Sequence, residues 1–230
     1  MSALVVVQQP TSEPVDLATA KNFLRVTTDN DDTLISILIS AARGVVETFT
    51  GRSIATKPYR QSLDSFPYYT DTMLSQMAYP PSYYSLPRYS TTLWNYSQMI
   101  KLFAPPLIGV VAIDYLDSAT GEKKTLDPSQ YIVNSDSEPA RIFPGPAGAY
   151  WPSVLYVPNA VQITFTAGYD TDPSSGPGVP NGIILAILML TANYYENREA
   201  AQPGAFSEIP NHIQNLLWAH RVLDMQPTRG

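Results

Sequence analysis

The chain has 230 residues, of which 44% are hydrophobic and 15% charged, and it carries a net charge of −6 and no cysteine. This composition allows a sizeable core and excludes a largely disordered chain. The acidic balance argues against binding to nucleic acid or anionic membranes, and the lack of cysteine excludes disulfides and thiolate metal sites.

Two helices are predicted near the start of the chain. Asp16 is a suitable N-cap for a short helix, and Asp31 or Asp32 can cap a second, longer one. Gly51 is placed to end the second helix, because glycine readily adopts the left-handed conformation found there. The apolar side of the first helix consists of Leu17, Ala20, Phe23 and Leu24. The buried stripe of the second is expected to contain Leu34, Ile35, Leu38, Ala41, Ala42, Val45, Val46 and Phe49.

The hydrophobic period changes from helical to alternating at Tyr59, which indicates β-strands. Short apolar segments separated by turn residues continue this pattern. After the strand at Tyr59, the candidate strands are Ile100–Phe103, Val110–Leu116, Lys123–Leu126, Tyr131–Val133, Arg141–Phe143 and Val161–Thr166. Their alternation and spacing predict an antiparallel sandwich or a small barrel.

Helical pattern returns near the end of the chain. Residues Ile183–Leu190 are apolar on every side, and the helix is expected to continue through Tyr195. A helix of this kind must be covered all round, either by its own chain or by another subunit. Pro210 is well placed to start a final helix. Its predicted buried residues are Ile213, Leu216, Leu217 and Leu223.

Helices at both ends with strands between them predict an α+β fold. We expect a small helical bundle formed by both chain ends, residues 1–57 and 171–230. An antiparallel β domain, residues 58–170, is expected as an insertion in this bundle.

A tyrosine-rich segment, residues 67–99, shows no clear period and is predicted to be an arm. Tyrosine and tryptophan provide large contact areas with little side-chain entropy to lose, which suits them to interfaces. The arm could contact a neighbouring subunit, pack on its own domain or bind a ligand. Tyr195 and Arg198, at the end of the apolar helix, are expected to make a contact with another subunit or within the chain. The predicted interface residues are Tyr68, Tyr69, Tyr83, Tyr84, Trp94, Tyr195 and Arg198.

No catalytic or metal-binding pattern is found in the sequence. The two histidines, His212 and His220, are eight residues apart, whereas a helical metal pair needs a spacing of three or four. Nucleophile-elbow and phosphate-loop motifs are absent, and residues 29–32 lack the later ligands of a calcium loop. We therefore predict no catalytic residue, no metal site and no cofactor. Residues Met1–Gln9 lack the features of a signal peptide, and Ile183–Leu190 is too short to cross a membrane.

The order of several short motifs resembles that of phage head–tail connector (adaptor) proteins, in the version with a β-domain insertion. The resemblance extends over nearly the whole chain, although each motif is weak alone. In the N-terminal part the motifs are Pro14-Val15-Asp16-Leu17, Ala20-Lys21, Leu24-Arg25-Val26, Asp31-Asp32, Leu34-Ile35, Ala41-Ala42 and Thr50-Gly51-Arg52. Further on they are Ala104-Pro105-Pro106-Leu107, Leu126-Asp127-Pro128 with Tyr131, Trp151-Pro152, Thr164-Phe165-Thr166-Ala167-Gly168-Tyr169 and Tyr194-Tyr195-Glu196-Asn197-Arg198-Glu199.

The resemblance implies a structural protein of the virion neck, assembled in the host cytoplasm, and not an enzyme. It implies a ring of identical subunits, expected to number twelve, under the portal protein. The ring would extend the DNA channel without binding DNA specifically and would offer a platform to a stopper or tail-side neck protein. The alternative from the residues themselves is a carbohydrate- or receptor-binding β module, in which exposed tyrosine and tryptophan rings stack on sugars. A hydrolase with paired carboxylates is a third class.

Overall fold

The structure is a computed structural model that describes residues 2–67, 98–145, 150–169, 178–197 and 209–222. Within these residues it contains four α-helices and two antiparallel sheets, which confirms the predicted α+β class. The helices are α1 (Leu17–Leu24), α2 (Asp32–Thr50), α3 (Asn181–Glu196) and α4 (Asn211–Trp218). The strands are β1 (Ser2–Val6), β2 (Lys57–Leu63), β3 (Ile100–Leu102), β4 (Leu107–Leu116), β5 (Lys123–Thr125), β6 (Tyr131–Asn134), β7 (Ala140–Pro144) and β8 (Val161–Ala167). The larger sheet has the order β1-β2-β8-β4-β5 and the smaller one β3-β7-β6.

The chain divides into two compact units. The β-rich unit comprises Met1–Val5, Arg60–Leu102 and Val110–Phe165. The helical unit comprises Val6–Tyr59, Phe103–Gly109 and Thr166–Gly230, so three separate segments of the chain build it. The limits predicted for an inserted β domain, residues 58–170, stay a prediction.

The ends of the first two helices follow from single residues. The Asp16 carboxylate accepts a hydrogen bond from the Thr19 backbone N–H (2.6 Å), which confirms the predicted N-cap of α1. Arg25 ends α1 with a φ of 57°, and Gly51 ends α2 with a φ of 70°. Both helices therefore stop at a residue in the left-handed conformation, a common helix terminus.

The buried side of α2 differs in part from the predicted stripe. Ala41 is exposed, whereas Ile39 and the charged Arg43 are buried. Leu34, Leu38, Val45 and Phe49 of the predicted stripe are only half-buried. The buried residues of α2 are Ile35, Ile39, Ala42, Arg43, Val46 and Thr50. The prediction missed Arg43 because it treated charged side chains as solvent-facing.

Helix α2 also has the length and mean hydropathy of a membrane span, 19 residues at 1.3. A single helix of this kind is weak evidence for a span, because core helices of globular proteins meet the same criteria. The buried Arg43 and its carboxylate partners fit a core helix, since charges are costly in a lipid environment.

The cover of α3 comes largely from its own unit. Helix α3 packs against α1, α2 and α4, and its buried residues are Ile183, Ala186, Ile187, Leu188, Leu190 and Thr191. Leu185 remains 42% exposed. Pro210 directly precedes α4, as predicted, and Ile213 and Leu217 of α4 join the same core. Leu216 is half-buried, and Leu223 lies outside the described residues.

The β-rich unit has its own core. Phe66 stacks on Trp151 with ring centroids 4.8 Å apart, and the Trp151 indole N–H donates to the Gln98 carbonyl (2.8 Å). In β8, Val161, Ile163 and Phe165 are buried, in the predicted alternation. Each predicted strand is present within one to three residues of its expected limits. Strand β1 was not predicted.

Candidate assembly interfaces

Six of the seven predicted interface residues lie outside the described residues. These are Tyr68, Tyr69, Tyr83, Tyr84, Trp94 and Arg198, so the predicted arm and the predicted Arg198 contact stay predictions. Tyr195 is described, and its part in contacts between subunits also stays a prediction.

Tyr195 makes a hydrogen bond within its own chain. It is half-buried near the end of α3, and its hydroxyl donates to the Asp31 carboxylate (2.6 Å) at the start of α2. Asp31 is the N-cap residue of α2, as predicted, although its side chain makes no capping hydrogen bond. The hydrogen bond from Tyr195 connects the end of α3 to the beginning of α2.

Beside this contact, one lysine bridges two carboxylates. Lys21 Nζ of α1 lies 2.6 Å from both Asp29 and Asp32. Hydrogen bonds to these two carboxylates raise the pKa of Lys21 and keep it charged. The Lys21 pair with Asp32, the first residue of α2, fixes the approach of α1 to α2.

A buried charge cluster lies under α2 and was not predicted from the sequence. Arg43 is 5% exposed, and its guanidinium binds Glu13 (Nε–Oε2, 2.7 Å) and Glu47 (Nη1–Oε2, 2.9 Å). Lys57 binds the same Glu47 oxygen at 2.6 Å. Burial alone would lower the pKa of Arg43, but its pairing with the two glutamates raises it. A signal was present in the sequence: Arg43 and Glu47 are four residues apart, at positions that continue the stripe from Ile39.

Glu47 also anchors the chain that leaves α2. Its second oxygen accepts hydrogen bonds from the backbone N–H groups of Ile54 (2.9 Å) and Ala55 (3.4 Å). The Glu47 carboxylate thus connects Arg43 of α2 with Lys57 of β2 and with the backbone between α2 and β2. A buried carboxylate with several charged partners is destabilising to remove, because those partners stay behind unpaired.

Ser53 and two prolines link the three segments of the helical unit. The Ser53 N–H donates to the Pro105 carbonyl, and the Gly168 N–H donates to the Pro106 carbonyl, both at 2.9 Å. The buried Tyr59 hydroxyl donates to Ser53 Oγ (2.9 Å), and burial raises the pKa of Tyr59 to about 12. The side chain is therefore neutral at any physiological pH.

Each unit contains large apolar side chains that are exposed to solvent. In the helical unit they include Phe23, Ile37, Leu185 and Trp218. In the β-rich unit they include Leu4, Val5, Val111, Ile132, Tyr150 and Tyr156. Exposed apolar side chains of this size are typical of interaction surfaces when they form a patch.

Two features of the described residues bear on the binding of metal ions and small ligands. No group of three or more histidine, aspartate or glutamate side chains in this part of the chain could hold a metal ion. A cleft of about 70 Å³ is lined by residues such as Asp114, Lys123 and Gln162. It is far smaller than a typical ligand pocket of about 300–1,000 Å³.

Residues 14–78 match the model of a protein family described as phage gp6-like head-tail connector protein. The predicted resemblance to head–tail connectors is confirmed for this segment. The matched segment includes α1, α2 and β2, and with them the Lys21 bridge and the Arg43–Glu47 pair. No curated protein matches the chain.

Solved structures match the fold over its full length. One is the neck of an empty GTA particle computed with C6 symmetry (TM-score 0.68, 20% identity, 99% of this chain and 100% of that chain). A second is the virion of a native gene transfer agent (GTA) particle (TM-score 0.64, 20% identity, 99% of each chain). A third is the neck of a native GTA particle computed with C12 symmetry (TM-score 0.62, 21% identity, 99% of this chain and 100% of that chain). At these identities the likeness shows a shared fold.

Proposed function

We propose that the protein is a structural head–tail connector that resides in the neck of a tailed phage or phage-like particle. The observation that carries this proposal is the connector family match in the N-terminal helical segment. The fold of the remaining chain supports it, because proteins of two GTA necks share that fold from end to end.

The finer proposal is a ring of identical subunits, twelve in number, between the portal protein and a tail-side neck protein. The neck structures of similar fold were computed with sixfold and twelvefold symmetry, which favours a ring for this chain too. The net charge of −6 suits a channel through which DNA must pass without adhering. In this role the protein acts by shape and contact, without catalysis and without a cofactor.

The alternative, a carbohydrate- or receptor-binding β module, is not favoured. A binding module of that kind needs only its β domain. In this chain the family match includes both α1 and α2, and α2 carries Arg43 and Glu47 of the buried charge cluster. The helical unit is therefore central to the protein and not an accessory.

Deletion of the gene in its phage separates the possible functions. A connector acts after DNA packaging, so electron microscopy of the lysate should show filled or leaked heads without tails, together with free tails. The same deletion complemented by the wild-type gene should restore tailed particles. Empty heads from the start would indicate a packaging component. Complete particles that cannot adsorb would indicate a receptor-binding protein, and either result would contradict the proposal.

A further inference from the structure

Two of the four sheet edges formed by the described strands are protected against pairing. Strand β5 is short, and its Lys123 and Lys124 are exposed and form ion pairs with aspartates of the same unit. At β3, the backbone carbonyl of Lys101 already accepts a hydrogen bond from the Gln61 side chain (2.8 Å). Lysines and covering side chains are common means of keeping an edge strand from joining another sheet.

Within the described residues, the edge strand β1 has neither kind of protection. It carries no charge, and the chain is exposed from Ala3 to Val7. Val5 is 57% exposed and its neighbours Leu4 and Val6 are 39% and 37% exposed, so apolar side chains on both faces meet solvent. An uncharged apolar edge of this kind is a ready template for another strand.

The direction of the β1 backbone shows which of its N–H and C=O groups point away from β2. Just after β1, the Val7 N–H donates to the Pro58 carbonyl of β2 (2.9 Å). Backbone groups alternate in direction along a strand, so Val5 also faces β2, whereas Leu4 and Val6 face away from it. Within the described residues no strand lies on that outer side.

The edge strand β6 is the second unprotected edge. It is also uncharged, and its Ile132 is 53% exposed. The Gly145 N–H donates to the Gln130 carbonyl (2.7 Å), which places Ile132 opposite Phe143 with its backbone toward β7. By the same alternation, the backbone groups of Tyr131 and Val133 face the open edge.

We propose that β1 of one subunit pairs with β6 of the next subunit in the ring. Pairing of two unlike edges is a head-to-tail contact, which repeats from copy to copy and gives a ring when the rotation between copies closes. Pairing of β1 with β1 would instead give a twofold dimer. Both edges are apolar and uncharged, so neither places an unpaired charge in the contact. This inference rests on the proposed ring and assigns the surfaces that form it.

The native chain contains no cysteine, so introduced cysteines can report the contact. We would combine Val5→Cys and Ile132→Cys in one chain and use it to complement the deletion. The particles would be treated with a cysteine-specific crosslinker of about 8 Å reach, which spans directly opposed and diagonal strand neighbours. We expect a ladder of covalent multimers at whole-number multiples of the subunit mass.

Two controls define the result. Each single variant should give no ladder, and Val5→Cys combined with Lys124→Cys should give none either, because β5 is a protected edge. A double variant that forms tailed particles without a ladder would overturn the proposal. A crosslinked product whose mass is not a multiple of the subunit mass would also overturn it, since it would show another neck protein on the edge.

A second pair of variants tests the backbone hydrogen bonds directly. Val6→Pro and Val133→Pro each remove one outward N–H and leave the pairing with β2 or β7 intact. We expect them to abolish the ladder and the tailed particles, whereas Val6→Ala and Val133→Ala retain both. Circular dichroism of the purified variants would check that each folds. Folded proline variants that still form tailed particles would contradict the pairing, while the connector function itself would stand on the deletion result.

Discussion

The two units differ in where they place charged side chains and in how open their sheet edges are. The helical unit places Arg43, Lys57 and Glu47 inside, where each is paired. The β-rich unit exposes apolar residues such as Val5 and Ile132 at its sheet edges. Buried ion pairs make the helical unit depend on its own internal contacts, whereas bare edges make the β-rich unit depend on neighbours. Substitutions should therefore act on stability in the first unit and on assembly in the second.

The largest effect is expected at Glu47. Glu47→Ala leaves Arg43 and Lys57 without their shared partner and should lower the free energy of unfolding by about 3–5 kcal/mol. Urea denaturation followed by circular dichroism would measure it. Glu122→Ala, at an exposed turn in the β-rich unit, is the control and should change stability by less than about 0.5 kcal/mol. If both variants lowered the free energy of unfolding equally, the proposed difference between the two units would be contradicted.

Two glycines of the helical unit should respond in opposite directions. Gly168 has a φ of 134°, and an added Cβ would lie 2.6 Å from the Ala55 carbonyl oxygen, so Gly168→Ala should destabilise by at least ~2 kcal/mol. Gly44 lies inside α2 with nothing within 4 Å of an added Cβ. Gly44→Ala should therefore stabilise by about 0.5–1 kcal/mol. Thermal unfolding of both variants tests this prediction. A change in stability of the same sign in both variants would contradict it.

Tyr195→Phe removes the hydrogen bond to Asp31 while keeping the ring. Hydrogen bonds to charged groups contribute more to stability than hydrogen bonds between neutral groups. For this half-buried pair we expect the free energy of unfolding to fall by about 1–2 kcal/mol. The neighbouring Tyr194 is also half-buried, but its hydroxyl donates to no described residue. Tyr194→Phe is therefore the matched control, and chemical denaturation should show the smaller loss there. A larger loss of unfolding free energy in Tyr194→Phe would contradict the importance of the Tyr195 hydrogen bond.

The cap of α1 should make a small, pH-dependent contribution. Hydrogen bonds from Thr19 hold the pKa of Asp16 below its ordinary value of 3.8. The ionised Asp16 carboxylate therefore stabilises the fold fully when the pH is above 3.8. This contribution is lost as the pH falls through the lower pKa that Asp16 has in the folded state. Asp16→Ala should cost about 1 kcal/mol at neutral pH, and Asp16→Asn should retain most of the cap without the pH dependence. Denaturation at pH values from neutral down to about 2 would show whether the two variants differ as expected.

The smallest effect on stability is expected at the exposed Ile132. Ile132→Ser should change the free energy of unfolding of the isolated protein by less than about 0.5 kcal/mol. It should nevertheless reduce the yield of tailed particles, because the exposed side chain would be buried in the proposed contact. Parallel measurements of unfolding and of particle yield test this separation. A strongly destabilised variant would mean that the β-rich unit needs Ile132 for its own fold.

Local signals in the sequence predicted most of the elements. Asp16 and Gly51 marked helix ends through capping chemistry, and the alternation in β8 marked a strand with one buried face. Strand β1 was missed for a physical reason: alternation arises only where one face is buried, and both faces of Ala3–Val7 are exposed. Contacts distant in sequence were also missed. Asp31 was predicted as a cap, and only the fold brings Tyr195 to it, from 164 residues away.

The closure of the helical unit has a consequence for the order of folding during synthesis. Arg52 donates to the His220 carbonyl (2.6 Å) across 168 residues, and the Val222 N–H donates to the Thr50 carbonyl (2.8 Å). The hydrogen bonds at the end of α2 therefore cannot form until the ribosome has produced a much later segment of the chain. The β-rich unit is complete once residue 165 has emerged, so it can fold first while the N-terminal helices lack α3 and α4. During that interval the apolar side of α2 is exposed to chaperones, and translation speed should influence the yield of this protein more than that of one built from consecutive segments.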